Sequence, residues 1–361
     1  MPWNSILGHD RAVARLRAAI AADRLHPAML FEGPVGVGKR LVALTLAQAL
    51  HCPKTRENDP CGECQSCRAI AGSFEPALTI ENQSAHPGVR VVTPSRPDER
   101  EVSFGASSAR GEVRSQITVS QVRVVLSEAQ FRARGAGRRI VVFDPADGMG
   151  DGAANALLKT LEEPRKGEHF VLLTARPSAL LPTILSRCVR LRFALLNAGS
   201  LRRALEERGL RRDRAEIDLV VSLAGGRIGR ALELLDGPSL RGYLDTRAHF
   251  LECFEALARA LPGGTFAVLG AAPFAGRERE EFLAALDVLE VLLRDLAVVG
   301  VHQGARPVNL DIESRLAPLA ATLGARAVGA LSVLEAVRDD FRVNVNTRLS
   351  LERILLEVAG T

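Results

Sequence analysis

The 361-residue chain is 47% hydrophobic and 25% charged, and 47 basic residues against 42 acidic ones leave a formal net charge of +5. That length predicts two or three domains rather than one, and the composition excludes a disordered or low-complexity chain. Aromatic residues make up only 4%, so aliphatic side chains must do the packing, and a base-stacking platform for single strands is disfavoured.

The modest positive balance permits a polyanionic partner without requiring one, and it reads first as solvated surface charge. Met1, Pro2 and Trp3 lead straight into polar and amphipathic sequence, unlike the charged-then-apolar start of a signal peptide. No apolar run approaches the roughly 20 residues that a bilayer span needs. The expectation is a soluble, cytoplasmic protein without membrane contact. In that reducing compartment, clustered cysteines suggest a metal before disulfides.

The first half alternates short apolar runs with amphipathic stretches. Residues 27–32 are apolar and end in a glycine-rich turn, and a helical pattern follows from Lys39 to Leu50. Residues 89–92 predict a strand, 119–133 a helix, 139–143 a buried strand, and 152–161 a helix closed by Glu-Pro. Further strands are expected at 170–174 and 188–193. Such alternation predicts a parallel α/β sheet with helices on both faces. Residues 94–116 lack periodicity and are rich in Ser, Arg, Gly and Glu, which reads as a mobile surface insertion.

After Phe193 the strand patterns stop. Residues 197–235 predict two or three short helices around Ala224-Gly225-Gly226. From about Leu240 everything is helical, with the strongest apolar stripes at 282–299 and 325–341 and a Gly/Pro/Ala-rich loop at 262–273. The expected domains are an α/β P-loop domain over 1–193, a small helical domain over 194–238 and an all-helical domain over 239–361, with no internal repeats.

Gly33-Pro34-Val35-Gly36-Val37-Gly38-Lys39 fits a phosphate-binding loop between strand and helix. Successive backbone N–H groups there form an anion nest at a helix N-terminus, and Lys39 can reach the outer phosphates. Glycine is needed because the backbone approaches the phosphates closely. Gly33, Gly36, Gly38 and Lys39 are therefore candidate ligands of ATP or ADP.

The next residue should be Ser or Thr, whose hydroxyl ligates Mg²⁺, but it is Arg40, which cannot coordinate a cation. The strand at 139–143 ends in Asp144, placed like a Walker B aspartate. Where an active enzyme carries glutamate to polarise water, this chain has Pro145, and Asp147 lies too far along to substitute. Nucleotide binding without turnover is the expectation.

Cys52, Cys61, Cys64 and Cys67 have the spacing C-x8-C-x2-C-x2-C. Four thiolates at short spacing can close a tetrahedral zinc site of structural type. An iron–sulfur cluster can use a similar run, and zinc is preferred because no redox context is visible. Cys188 and Cys253 read as buried small hydrophobes.

Together these residues resemble the clamp-loader subunits of bacterial DNA polymerase III, an AAA+ family. The run from Ala154-Asn155-Ala156-Leu157-Leu158-Lys159 to Thr160-Leu161-Glu162-Glu163-Pro164 resembles the family's helix after Walker B, and Ser186-Arg187-Cys188 resembles its SRC motif. The cysteine module is similar to the family's zinc site. Residues 3–9 resemble the segment that packs near the nucleotide base. Residues 225–231 resemble the sensor-2 region, and 344–349 the final helix of the collar.

The resemblance implies an AAA+ domain, a helical lid and a C-terminal collar that assembles with gamma/tau and delta subunits. It also implies a hetero-oligomer that reaches the sliding clamp and primer–template DNA through the complex. With the hydrolytic residues missing and Arg187 retained, the chain is most similar to the delta-prime type, which completes the ring without hydrolysing ATP. In that family the SRC arginine reaches into the neighbouring subunit's ATP site. The alternatives are an ATP-hydrolysing gamma/tau-type motor, against which Arg40 and Pro145 count, and a zinc-containing P-loop kinase, which leaves the helical C-terminal third without a role.

Overall fold

The computed structural model describes residues 2–74, 86–94, 116–131, 138–207, 213–235, 238–260, 279–301, 306–340 and 346–360. Nearly all of the insertion expected at 94–116, the loop expected at 262–273, and residues 344 and 345 lie outside them. The chain forms two compact units, residues 1–204 with 226–229, and residues 205–225 with 230–361.

In the first unit, β1 (Ala28–Glu32), β2 (Val89–Val92), β3 (Arg139–Phe143), β4 (Glu168–Thr174) and β5 (Val189–Arg192) form one parallel sheet in the order β2-β3-β4-β1-β5. Parallel strands covered on both sides read as continuous apolar runs, as Ile140-Val141-Val142-Phe143 does. Alternate residues serve the two faces. Met29, Phe31, Ile140, Val142, Val171 and Leu173 pack in one core with apolar residues of α1 (Asp10–Ala21), α2 (Lys39–His51) and α3 (Gln65–Gly72). Leu30, Val141, Phe143, Phe170 and Leu172 pack in the other with α4 (Val119–Phe131), α5 (Asp151–Glu162) and α6 (Pro182–Leu185).

This order decides where the chemistry sits. Ligands of open α/β sheets bind outside the carboxyl ends of the strands. β4 lies between β1 and β3, so the phosphate loop after β1, Asp144 after β3 and Thr174 at the end of β4 reach one edge. The short helix α7 (Ala198–Glu207) follows the sheet.

The second unit is helical, with α8 (Arg214–Ala224), α9 (Ile228–Leu235, from Arg230 onward), α10 (Pro238–Ala260), α11 (Arg279–Val301), α12 (Glu313–Asp340) and α13 (Thr347–Ala359). α12 packs along α11 and α13. It begins earlier than the stripe at 325–341 suggests, because Pro318, Gly324 and several alanines weaken the apolar periodicity of its first turns. Residues 310–338 are long and apolar enough, by length and composition, to cross a membrane. Here Leu316, Leu323, Ala327, Ala330 and Leu334 are buried in the bundle.

A close backbone approach joins α11 to α12. A Cβ on Gly324 would lie 2.8 Å from the Leu296 carbonyl oxygen and 3.0 Å from the Gly300 Cα. Nearby, the fully buried Asp295 carboxylate accepts from the Val308 and Asn309 amides and from Asn309 Nδ2 at 2.7–2.9 Å. Arg247 donates to both Asp311 carboxylate oxygens and to Asn309 Oδ1.

Candidate functional site

The phosphate loop takes its shape from glycine. Gly33, Gly36 and Gly38 have φ of 154°, 77° and 107°, a region that other residues rarely adopt. A Cβ on Gly33 would lie 2.1 Å from the Phe193 carbonyl oxygen. Lys39, the first residue of α2, turns its ammonium back onto the carbonyls of Gly33 and Pro34, the latter at 2.7 Å. Burial lowers the Lys39 pKa, against the pull of Asp144 and Asp147.

Two further groups close on the loop. The Gly229 amide donates to the Gly36 carbonyl at 2.8 Å. His9 Nε2 donates to the Val37 carbonyl at 2.7 Å, and its ring packs edge-on against Phe193. The segments at 3–9 and 225–231, noticed in the sequence by resemblance alone, thus each send one residue to the loop.

Arg40 stands beside Asp144, its Nη1 3.4 Å from Oδ2. Its Nη2 donates to the Phe74 carbonyl, and the guanidinium lies 5.9 Å from the centre of the Phe74 ring. Burial raises the Asp144 pKa, with Arg40 and Lys39 opposing and Asp147 adding to the rise. A fixed cation therefore already pairs with the carboxylate that would serve a magnesium ion. Asp147 is engaged too. Its carboxylate accepts from Thr174 Oγ1 at 2.7 Å, from the Ala175 amide at 3.4 Å and from Arg176 Nε at 3.2 Å.

The four cysteine sulfurs of 52, 61, 64 and 67 lie within 4.8 Å of one another. Cys52 Sγ is 3.6 Å from Cys61 Sγ and 3.9 Å from Cys64 Sγ. A tetrahedral site with metal–sulfur bonds of about 2.3 Å sets sulfurs about 3.8 Å apart, so the cluster can hold a metal ion. Backbone amides of Cys61, Cys64 and Cys67 point at neighbouring sulfurs at 3.3–3.5 Å. The amides of Glu63 and Cys64 pull the Cys61 thiol down to about 6. The loop between the first two cysteines grips the N-terminus, since Trp3 donates its amide to Asp59 and its indole N–H to the Asn58 carbonyl. Cys188 and Cys253 are half-buried rather than fully buried, and burial pushes the Cys188 thiol up to about 11.

Arg187 lies between α6 and β5 on the surface. Its Nη1 donates to the Thr183 carbonyl at 2.8 Å and to Ser186 Oγ at 3.3 Å, and its Nη2 pairs with the Glu162 carboxylate at the end of α5. Arg187 is thus tied to Glu162, a residue of the 154–164 motif.

Residues 8–197, more than half of the chain, match the family described as DNA polymerase III, delta subunit. The chain belongs to this family. Members and relatives span several named subunits. The chain is 27% identical to the DNA polymerase III subunit delta' of Bacillus subtilis over 96% of this chain and 94% of that one. With the delta' subunit of Pseudomonas aeruginosa it shares 35% identity over 47% of this chain and 43% of that one. It is 27% identical to the DNA polymerase III subunit tau of B. subtilis over 65% of this chain, and spans only 37% of that relative's length. Family membership accords with the α/β AAA+-type P-loop fold, which a helical region follows.

Phe74, Asn58 and Thr174 escaped the sequence reading as site residues, and Glu162 entered it only within a motif. The first two act through backbone carbonyls, which carry no residue-type signal. Thr174 and Glu162 are common residues whose partners lie 27 and 25 positions away.

Proposed function

We propose that this chain is a delta-prime-type subunit of a bacterial DNA polymerase III clamp loader. In this reading it completes the AAA+ ring with gamma/tau and delta subunits and does not hydrolyse ATP itself. It supports loading of the sliding clamp on primed DNA. The observation that carries the reading is the Arg40–Asp144 pair. Metal-dependent phosphoryl transfer needs a divalent cation held between the phosphates, a hydroxyl of the loop and an acidic side chain. Here the hydroxyl is replaced by a guanidinium, and that guanidinium occupies the carboxylate. Pro145 follows where a water-polarising glutamate is needed. The glycine cradle keeps its geometry, and in this reading it holds ATP or ADP without turnover.

Arg187 acts in trans. It stabilises charge that develops on the phosphoryl group in a neighbouring motor subunit, an effect worth roughly 10³ or more in rate. The four cysteines hold a structural zinc, which when bound pins the loop that grips Trp3. Domains over 1–193, 194–238 and 239–361 act as ATPase-like body, lid and oligomerising collar.

The test is reconstitution with motor and delta subunits. The isolated chain hydrolyses no ATP above background, with or without primed DNA, and Lys39→Ala changes nothing. Arg187→Ala leaves the complex assembled but slows DNA-stimulated hydrolysis and clamp loading. Robust hydrolysis by the isolated chain that disappears in Lys39→Ala, or wild-type loading by the Arg187→Ala complex, refutes the proposal.

A further inference from the structure

We infer that Glu162 is a positioning residue for Arg187, one that aims the guanidinium before any neighbouring subunit arrives. This rests on the trans-acting role proposed above for Arg187 and adds a second residue to it.

A lone surface arginine samples many rotamers, and aiming it costs side-chain entropy at the moment of use. Arg187 does not stand alone. Three acceptors from three places hold it, namely the Thr183 carbonyl in α6, the Ser186 hydroxyl next to it, and the Glu162 carboxylate at the C-terminal end of α5. Two of these lie within four residues and can fix only the base of the side chain's arc. Glu162 is 25 residues away and belongs to another helix, so it alone refers the guanidinium to the body of the domain.

α5 is a firm reference. Leu157 and Leu161, five residues and one residue before Glu162, are buried in the core on one face of the sheet together with Ile184 of α6. Glu162 ends α5 and Arg187 follows α6 by two residues, and these two helices share one apolar core. The pair itself is partly exposed, with side-chain accessibilities of 48% and 32%, so it is reachable by a partner.

The bond count leaves room for a ligand. A guanidinium has five N–H donors in a fixed plane. The three contacts engage at most three of these donors, on Nη1 and Nη2. At least two donors stay available for a phosphate oxygen while the clamp remains closed. Glu162 therefore need not be displaced for Arg187 to work, and the carboxylate orients the finger rather than competing with it.

The measurement is DNA-stimulated ATP hydrolysis by the reconstituted complex as a function of ATP concentration, with four versions of this subunit: wild type, Glu162→Ala, Glu162→Gln and Arg187→Ala. Misplacement by an ångström can cost up to about 10²-fold. Glu162→Ala is expected to lower kcat by roughly tenfold, with KM for ATP little changed and assembly and subunit Tm unaltered. Glu162→Gln keeps an acceptor and should recover most of the rate, which loss of folding or assembly would not allow. The double variant Glu162→Ala/Arg187→Ala should be no slower than Arg187→Ala alone, because a residue that acts only through Arg187 has nothing left to act on. If Glu162→Ala leaves kcat unchanged or raises it while Arg187→Ala slows it, the positioning role is wrong and the trans role survives. If Arg187→Ala is itself without effect, the reading beneath it fails.

Discussion

Replacing Arg40 tests whether its positive charge is what Asp144 requires. Asp144 is mostly buried and its pKa is raised by that burial, while Arg40 at 3.4 Å and Lys39 hold it down. At an effective dielectric constant near 20, opposite charges at that distance attract by about 5 kcal/mol. Arg40 is a third exposed, and solvent screening together with the cost of desolvation removes most of this. A net loss of about 1–2 kcal/mol at neutral pH is the expected size for Arg40→Ala.

The pH dependence separates charge from packing. A carboxylate whose folded pKa lies above its unfolded value destabilises the fold once it is ionised, so stability is highest below the unfolded pKa and is lost as pH rises through the folded one. Removing Arg40 pushes the folded pKa of Asp144 further up. The penalty of Arg40→Ala should therefore be smallest at acidic pH, where Asp144 is protonated in both proteins, and should grow as the pH rises through the raised folded pKa. Urea unfolding of zinc-loaded wild type and variant at several pH values reads this directly, and Arg40→Lys, which keeps the charge but not the reach to Phe74, should recover part of the loss. A penalty that is flat with pH, or that grows on acidification, refutes an electrostatic role for Arg40.

Two further outcomes are expected. Purified protein should carry about one zinc per chain, and because Trp3 is the chain's single tryptophan and bonds to Asn58 and Asp59 between the first two cysteines, chelation should red-shift its emission. Zinc-free protein with unchanged Trp3 emission and Tm counts against a structural site. In the second unit, Gly324→Ala gains about 1 kcal/mol of helix propensity but puts a methyl group against the Leu296 carbonyl and Gly300, at an overpacking cost of about 1–3 kcal/mol. The net effect should be a lower Tm, and a higher one would show that α11 and α12 separate without cost.

How much was legible follows from how local each signal is. Ile140–Phe143 reads as a buried strand because four apolar residues in a row need cover on both faces. The phosphate loop reads from its own glycines, whose left-handed backbone no other residue supplies cheaply. The cysteines lie close enough in sequence for their spacing to imply one site. What escaped depends on distant pairing. Nothing near Arg40 says that it will meet Asp144, over a hundred positions on, although the loss of the hydroxyl beside Lys39 was visible. Asp295 sits in the apolar stripe at 282–299, and nothing near it in sequence names its partners. It is fully buried, since two backbone amides and an asparagine of the 308–309 turn satisfy it.

The retained cradle has a structural meaning of its own. Lys39 donates to the Gly33 and Pro34 carbonyls, the Gly36 carbonyl accepts from Gly229, and Asp144 pairs with Arg40, so the loop is tied to its surroundings by its own protein groups. Glu32, immediately before Gly33, extends this to the neighbouring strand. Burial alone would raise its pKa, but Arg190 and Arg192 override that and hold it below the usual carboxylate range. Both arginines belong to β5, which among the described residues lies at the end of the sheet beside β1. β5 begins just after Arg187. The phosphate loop thus continues from the strand against which β5, the strand after Arg187, is fixed. Its glycines are constrained by that packing, as the 2.1 Å approach of a Gly33 Cβ to the Phe193 carbonyl shows, whether or not a nucleotide ever binds.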